Sequence, residues 1–161
     1  YAAGPTDQRD LIRRRDVLVY TSDPLPQPLE VTGPVKAILF ASTIAPDTDW
    51  VVKLCDVHHD GRVLNVCDWV LRASYRKGSP RQRIEPGAVV RYEVDLWSTS
   101  MCFGAGHRLQ VLVASSDFPR YDRNPNTGEL AQSALHLEPA LQRIFHDAER
   151  ASHLLLPVVR S

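Results

Sequence analysis

The residues of this chain that could do chemistry are foremost its histidines. The sequence of 161 residues contains 6 of them. His58, His59 and Asp60 stand together, as do His146 and Asp147, and imidazole and carboxylate groups commonly bind metals or carry protons. Adjacent residues of a strand point to opposite faces, so we expect neither group to converge on one ion. The first group is predicted to be a polar hairpin tip, and His146 a hydrogen-bonded strand residue.

Sequence motifs of common catalytic and cofactor sites are missing. No Gly-x-Ser-x-Gly segment, Cys-x-x-Cys pair or Walker-type glycine loop occurs. Gly104-Ala105-Gly106 has no helix-forming sequence after it, which predicts a turn and not a phosphate-binding loop. The sequence therefore predicts no catalytic residue, no cofactor and no metal ligand in this chain. One alternative is a triad assembled across the fold, which would need a Ser–His pair within about 3 Å of each other.

The cysteines and the tryptophans each leave one alternative open. Three cysteines do not make a disulfide framework, so we expect buried thiols, with a Cys55–Cys67 bridge across a hairpin as the alternative. The tryptophans are Trp50, Trp69 and Trp97, and large aromatic side chains are most often found in cores and interfaces. Exposed, coplanar indole rings would instead indicate a carbohydrate-binding module.

Charge and hydrophobicity exclude several classes of protein. The formal net charge is +0, from 19 basic and 19 acidic residues, and 43% of the residues are hydrophobic. This balance leaves no electrostatic footprint for nucleic acid or an anionic membrane, so we expect neither partner. The hydrophobic content is too high for a disordered chain, and no apolar run reaches the ~20 residues of a membrane-spanning helix. The length suits one domain.

Short runs of β-branched and aromatic residues, separated by Pro, Gly, Asn and Asp, are typical of strands. Asp60-Gly61 predicts a β-hairpin. Ser115–Gly128 is predicted to be a long polar loop. Glu129–Leu141 is the one segment whose sequence allows a helix, of a turn or two. The strand-forming runs are Asp16–Thr21, Leu29–Thr32, Val35–Thr43, Asp49–His58, Arg62–Tyr75, Val90–Leu96, Leu109–Val113, Arg143–His146 and Ser152–Val159, with Gly33-Pro34 separating the second from the third. About nine strands with little helix predict an all-β fold, an antiparallel β-sandwich or jelly roll.

The most specific segment is the loop Ser115–Gly128, which reads Ser-Ser-Asp-Phe-Pro-Arg-Tyr-Asp-Arg-Asn-Pro-Asn-Thr-Gly. It resembles the signature of the C-terminal domain of the X-Pro dipeptidyl-peptidase, cocaine esterase and α-amino acid ester hydrolase family of serine hydrolases. Other segments match that family in the same order, so the resemblance extends from about Asp7 to Val159. They are Asp16–Ser22, Val31–Val35, Ser42–Asp49, Leu54–Arg62, Gly106–Arg108, Phe145–Glu149 and Leu154–Val158.

The resemblance implies a jelly-roll β-sandwich, galactose-binding-domain-like, that follows an α/β-hydrolase domain and a helical cap. In this family the nucleophile, the acid and the histidine belong to the hydrolase domain. We therefore expect residues 1–161 to be one domain of a longer hydrolase, with 1–14 leading into it, and to hydrolyse nothing alone. The expected partners are the hydrolase and cap domains of the parent chain. Whether the parent cleaves a peptide, another amide or an ester stays open.

Ser115–Gly128, hereafter the signature loop, carries the predicted docking residues. Its charges are expected to pair within the loop, and its Asn and Gly residues to form tight turns, giving a stiff surface for a neighbouring domain. Direct substrate contact and cation binding by the carboxylates are alternatives. We also expect the isolated chain to self-associate through this uncovered face, and its reduced thiols favour the cytoplasm. The predicted docking residues are Phe118, Arg120, Tyr121, Asp122, Arg123 and Asn124.

Overall fold

The computed structural model describes residues 4–159 of the chain, and regular structure in this part is almost entirely β. Helical structure is confined to α1 (Arg9–Ile12) and a 3-10 turn at Ala73–Tyr75. No helix in this part of the chain has the length and apolar character needed to cross a membrane. The strands are β1 (Leu18–Thr21), β2 (Leu29–Thr43), β3 (Asp49–Val57), β4 (Val63–Arg72), β5 (Val90–Phe103), β6 (Arg108–Ala114), β7 (Gln142–Ile144) and β8 (His153–Leu155).

The strands form two antiparallel sheets that face each other across one core. The first sheet has the order β1-β6-β3-β4. In the second, β2 pairs with β5 on one edge and with β7 and β8 on the other. The predicted all-β antiparallel sandwich is confirmed. Large side chains buried between the sheets include Trp50, Leu54, Tyr92, Leu96 and Phe103. Full burial of a leucine or phenylalanine side chain among them stabilises the fold by about 1.5–3 kcal/mol.

β2 is one strand where the sequence predicted two. Gly33 and Pro34 stay in the ladder, and the register shifts between Pro34 and Lys36. One residue of β2, Val35, lies opposite two residues of β5 at this point, which is a β-bulge. The bulge absorbs the irregularity without ending the strand, so the structure has eight strands among its described residues instead of about nine. It also places Trp97 of β5 at φ +67° and leaves its indole 62% exposed.

The helical expectations were also wrong in position. Residues 129–141 form no helix but follow an irregular path, with local turns such as the bond from Ser133 N–H to the Leu130 carbonyl. The four-residue helix α1 lies instead in the leading segment, where residues 1–3 are outside the described part. Its Leu11 and Ile12 pack on the outer face of the first sheet. Tertiary packing decides where so short a helix forms.

Candidate docking surface

A network of buried charges fastens the signature loop to the first sheet. Lys53 of β3 is 8% exposed, and the register sets it opposite Asp68 of β4. Its Nζ lies 3.3 Å from Asp68 Oδ2 and 2.9 Å from Asp117 Oδ1 of the loop. Arg120 of the loop donates to Asp68 as well. Burial lowers the pKa of Lys53, but the two carboxylates outweigh it and leave that pKa above its ordinary value.

Asn124 fixes the loop from inside. Its Nδ2 donates to Asp49 Oδ1 at 2.8 Å, and its Oδ1 accepts from the Asn126 N–H at 3.0 Å. Asp49 is 3% exposed and also accepts from Arg72 at 2.9 and 3.0 Å. Asn124 itself is buried in this chain, and its side chain positions the loop. Its role in docking stays a prediction.

The sequence predicted that the loop charges pair with one another. In the structure they pair mainly with side chains outside the loop. Within the loop, Arg120 Nη1 lies 3.8 Å from Asp117 Oδ2. The shorter contacts join the loop to other parts of the chain, including Arg81, whose Nη2 donates to the Gly128 carbonyl and to Asp47 Oδ2, both at 3.0 Å. A loop without secondary structure has few backbone partners of its own, so distant side chains hold it.

The outward side of the signature loop borders a groove. Phe118 is 57% exposed, and the Arg123 guanidinium lies 4.5 Å from the centre of its ring, a cation–π contact. Both line a groove of about 650 Å³ that Leu137 also borders, with Leu11 and Arg14 among the other lining residues. The groove therefore combines apolar side chains with two exposed guanidinium groups.

The predicted docking residues divide into two groups. Those that hold the loop face the sheet: Arg120 binds Asp68, and the ring of Tyr121 lies 6.0 Å from that of Trp69. Those that face solvent remain available to a partner. The holding group is Arg120, Tyr121 and Asn124, and the solvent-facing group is Phe118, Asp122 and Arg123.

Residues 129–141, hereafter the leucine segment, continue from the signature loop. The exposed fractions of Leu130, Leu135, Leu137 and Leu141 are 46%, 97%, 55% and 58%. The segment is tied at Glu138, whose N–H donates to the Pro125 carbonyl at 3.0 Å. Contiguous exposed apolar surface marks interaction sites, so this run of exposed leucines is a candidate for one. Sequence reasoning missed them, although leucines outside any strand or helix pattern were the available signal.

The tryptophans do not form a flat platform for a sugar. Trp50 is 1% exposed, within the core. The rings of Trp69 and Trp97 lie 5.2 Å apart at 72°, an edge-to-face arrangement. The carbohydrate-binding alternative required coplanar exposed rings, so the geometry does not favour it.

The three cysteines are free thiols. The register sets Cys55 opposite Asn65 and Cys67 opposite Leu54, and the Cys55–Cys67 bridge is not formed. Burial raises the pKa of each of these two thiols to about 12. Cys102 is exposed, so the expectation that all three thiols are buried was wrong for this one.

The histidines depart from the strand geometry expected of them. β3 ends at Val57, so His58 and His59 lie in the hairpin loop, where side chains need not alternate. Both rings turn toward His107, with ring centres 4.4 and 5.1 Å away, and the expectation that they diverge was wrong. His146 hydrogen-bonds to the Tyr20 hydroxyl at 2.9 Å, just beyond β7.

The remaining alternative, a convergent triad, finds no support in these contacts. Within residues 4–159, every histidine side-chain hydrogen bond goes to a carboxylate, a tyrosine hydroxyl or a backbone carbonyl. No serine hydroxyl in this range stands beside an imidazole as a nucleophile requires. The exposed apolar flank at residues 118–141 is therefore the candidate functional feature of this β-sandwich.

Comparison with known proteins places that domain in a family. Residues 2–155 match the X-Pro dipeptidyl-peptidase C-terminal non-catalytic domain, and the chain belongs to this family. It is 44% identical over 160 residues to the cocaine esterase of Rhodococcus sp. (strain MB1 Bresler), covering 98% of this chain and 28% of that protein.

Solved structures agree with the sequence comparison. An α-amino acid ester hydrolase superposes with a TM-score of 0.92 at 34% identity, covering 96% of this chain and 27% of that one. An aminopeptidase from a marine sediment Thaumarchaeota archaeon has a TM-score of 0.88 at 33% identity, covering 99% and 30%. The chain thus spans little more than a quarter of the length of these relatives.

Proposed function

We propose that this chain serves as the C-terminal, non-catalytic domain of a longer serine hydrolase that cleaves ester or amide bonds through an acyl-enzyme. The relatives support this proposal, since a cocaine esterase, an amino acid ester hydrolase and an aminopeptidase each contain such a domain within a much longer chain. The nucleophile, the acid and the histidine would reside in the other part of the parent polypeptide.

The partner of this domain is the hydrolase part of the same polypeptide, with its cap. One observation carries the assignment: exposed hydrophobic side chains concentrate along residues 118–141, from Phe118 through the leucine segment. Burying one leucine side chain contributes about 1.5–3 kcal/mol, so covering this flank would supply a substantial part of an interdomain contact. The signature loop, already held by the sheet, offers Phe118 and Arg123 in a fixed place beside it.

The proposal is tested by labelling extracts of the source cells with a fluorophosphonate probe, which marks active serine nucleophiles. An antibody to this domain captures the labelled material, and its mass is read. We expect a labelled band several times heavier than the 18.1 kDa of this chain. An unlabelled band near that mass would contradict the proposal.

A further inference from the structure

A cluster of imidazole and carboxylate groups lies where the β3–β4 hairpin meets the turn between β5 and β6. It consists of Asp56, His58 and His107, whose ligand atoms all lie within 4.8 Å of one another. We propose that these residues form a binding site for a divalent transition-metal ion of the Zn²⁺ type. The proposal does not depend on the docking surface or on the parent hydrolase.

The spacing of the donor atoms fits one small ion. Asp56 Oδ1 lies 2.9 Å from His107 Nδ1, and Asp56 Oδ2 lies 3.2 Å from His58 Nε2. Ligands held at about 2.0–2.2 Å around tetrahedral Zn²⁺ are themselves about 3.3–3.5 Å apart, so small side-chain rotations suffice. Two imidazoles and one carboxylate suit Zn²⁺, Co²⁺ and Ni²⁺ better than Mg²⁺ or Ca²⁺, which prefer oxygen ligands. A water molecule would complete four-coordination.

The cluster is also chemically incomplete as it stands. His58 Nε2 is buried and has no hydrogen-bond partner, because its approach to Asp56 lacks hydrogen-bond geometry. A buried polar atom left unpaired costs about 1–3 kcal/mol. Asp56 is 1% exposed, and its carboxylate lies beside the imidazoles of His58 and His107. A metal ion would satisfy the free nitrogen and neutralise the buried carboxylate together.

The backbone holds these ligands in place without the ion. In the hairpin, the His58 N–H donates to the Arg62 carbonyl at 2.9 Å. The turn between β5 and β6 packs against the ring of His59, the residue after His58. The Nε2 of His59 hydrogen-bonds to the Ala105 carbonyl of that turn at 3.0 Å. A Cβ added at Gly106, which has φ +73°, would come within 2.3 Å of that ring, so the approach requires glycine. A bound ion would link the end of β3 to the turn that leads into β6, its neighbour in the first sheet.

The test is a metal titration of the chain after treatment with a chelator. Co²⁺ reports the site directly, since four-coordinate Co²⁺ with nitrogen and oxygen ligands absorbs strongly in the visible, and Zn²⁺ should displace it. We expect saturation at one Co²⁺ per chain and a rise in Tm with Zn²⁺. His107→Gln and His58→Gln should each weaken binding at least tenfold, while His153→Gln, at an exposed histidine of β8, should leave it unchanged.

His58→Gln is the deciding variant, because it removes a nitrogen that makes no hydrogen bond and should leave the fold intact. Circular dichroism confirms folding before the titration. If the chain shows no one-to-one Co²⁺ absorbance, or if His58→Gln binds as tightly as the parent sequence, the proposed site is wrong.

Discussion

The signature loop and the leucine segment follow one another in a single connection between β6 and β7, yet they are held in opposite ways. Charged and amide side chains fix the loop to the sheet, through Lys53 and Asn124 above all. The leucine segment has few such ties and exposes Leu135 almost fully. The difference separates two regions: contacts within this domain hold the loop in position, whereas the leucines are exposed and form the surface that we propose a partner covers.

Removing the ammonium of the charge network should have the largest effect on the held region. Lys53→Met removes the buried cation between the carboxylates of Asp68 and Asp117, which then keep only the more exposed Arg120. We expect a loss of about 3 kcal/mol in the free energy of unfolding, measured with urea. Lys36→Met is the matched control, since its ion pair with Glu93 is exposed, and it should leave the urea midpoint unchanged. Equal urea midpoints for Lys53→Met and Lys36→Met would contradict the claim that the buried charge network holds the signature loop.

Asn124→Ala should weaken the same region by less. It removes one hydrogen bond to the buried Asp49 and one from the Asn126 N–H, and Arg72 still pairs with Asp49. The expected cost is about 1–2 kcal/mol in urea unfolding. Ser133→Ala in the leucine segment is the control, because its exposed hydroxyl reaches only a nearby carbonyl, and it should be neutral. A neutral Asn124→Ala would contradict the anchoring role.

Variants of the leucine segment should affect association while stability stays constant. We expect Leu135→Ser with Leu137→Ser to change the free energy of unfolding by less than about 0.5 kcal/mol, since both side chains are exposed. The same double variant should bind a separately expressed hydrolase part at least tenfold more weakly, measured by calorimetry. Leu155→Ser, also exposed but on β8, is the control and should bind normally. If the double variant lost stability but bound normally, the leucine segment would be part of the folded core and not a docking surface, which contradicts the proposal.

The pH dependence of the Lys53 network gives the smallest effect. The pKa of Lys53 is raised in the folded chain, so its stabilisation is complete below the ordinary value of 10.5 and is lost as the pH rises through the folded value. The stability difference between the parent sequence and Lys53→Met should stay constant at neutral pH and shrink only above about pH 10.5. Unfolding curves measured at several pH values for both proteins check this. A difference that shrinks near pH 8 would show that Lys53 is not held charged by its partners.

Features with local causes could be predicted from the sequence. The β3–β4 hairpin follows from Asp60-Gly61, because Gly61 adopts φ +82° there. Turn residues likewise predicted the polar signature loop. Short runs of β-branched residues predicted the β-sandwich. Gly33-Pro34 led to the wrong prediction that the strand ends there. The bulge that keeps β2 continuous depends on an extra residue in β5, which lies far away in the sequence.

Features that arise from distant contacts could not be predicted. Nothing near Lys53 in the sequence indicates Asp117, and the partner exists only because the loop folds back over the first sheet. His58 meets His107 because two turns come together at one end of the strands, a matter of topology and not of spacing. The leucines of the leucine segment lie outside any regular pattern, which was a signal of an unusual surface, but the fold was needed to show how far each side chain is exposed.

The central claim is that this domain presents residues 118–141 to the hydrolase part of a longer polypeptide. Hydrogen exchange of the backbone amides tests it most directly, comparing the isolated chain with the same residues inside the full-length protein. We predict that the full-length protein gains protection mainly in the leucine segment and around Phe118, while β3 and β4 exchange alike in both. Equal exchange of residues 118–141 in the two proteins would contradict the account, because no partner would then cover that flank.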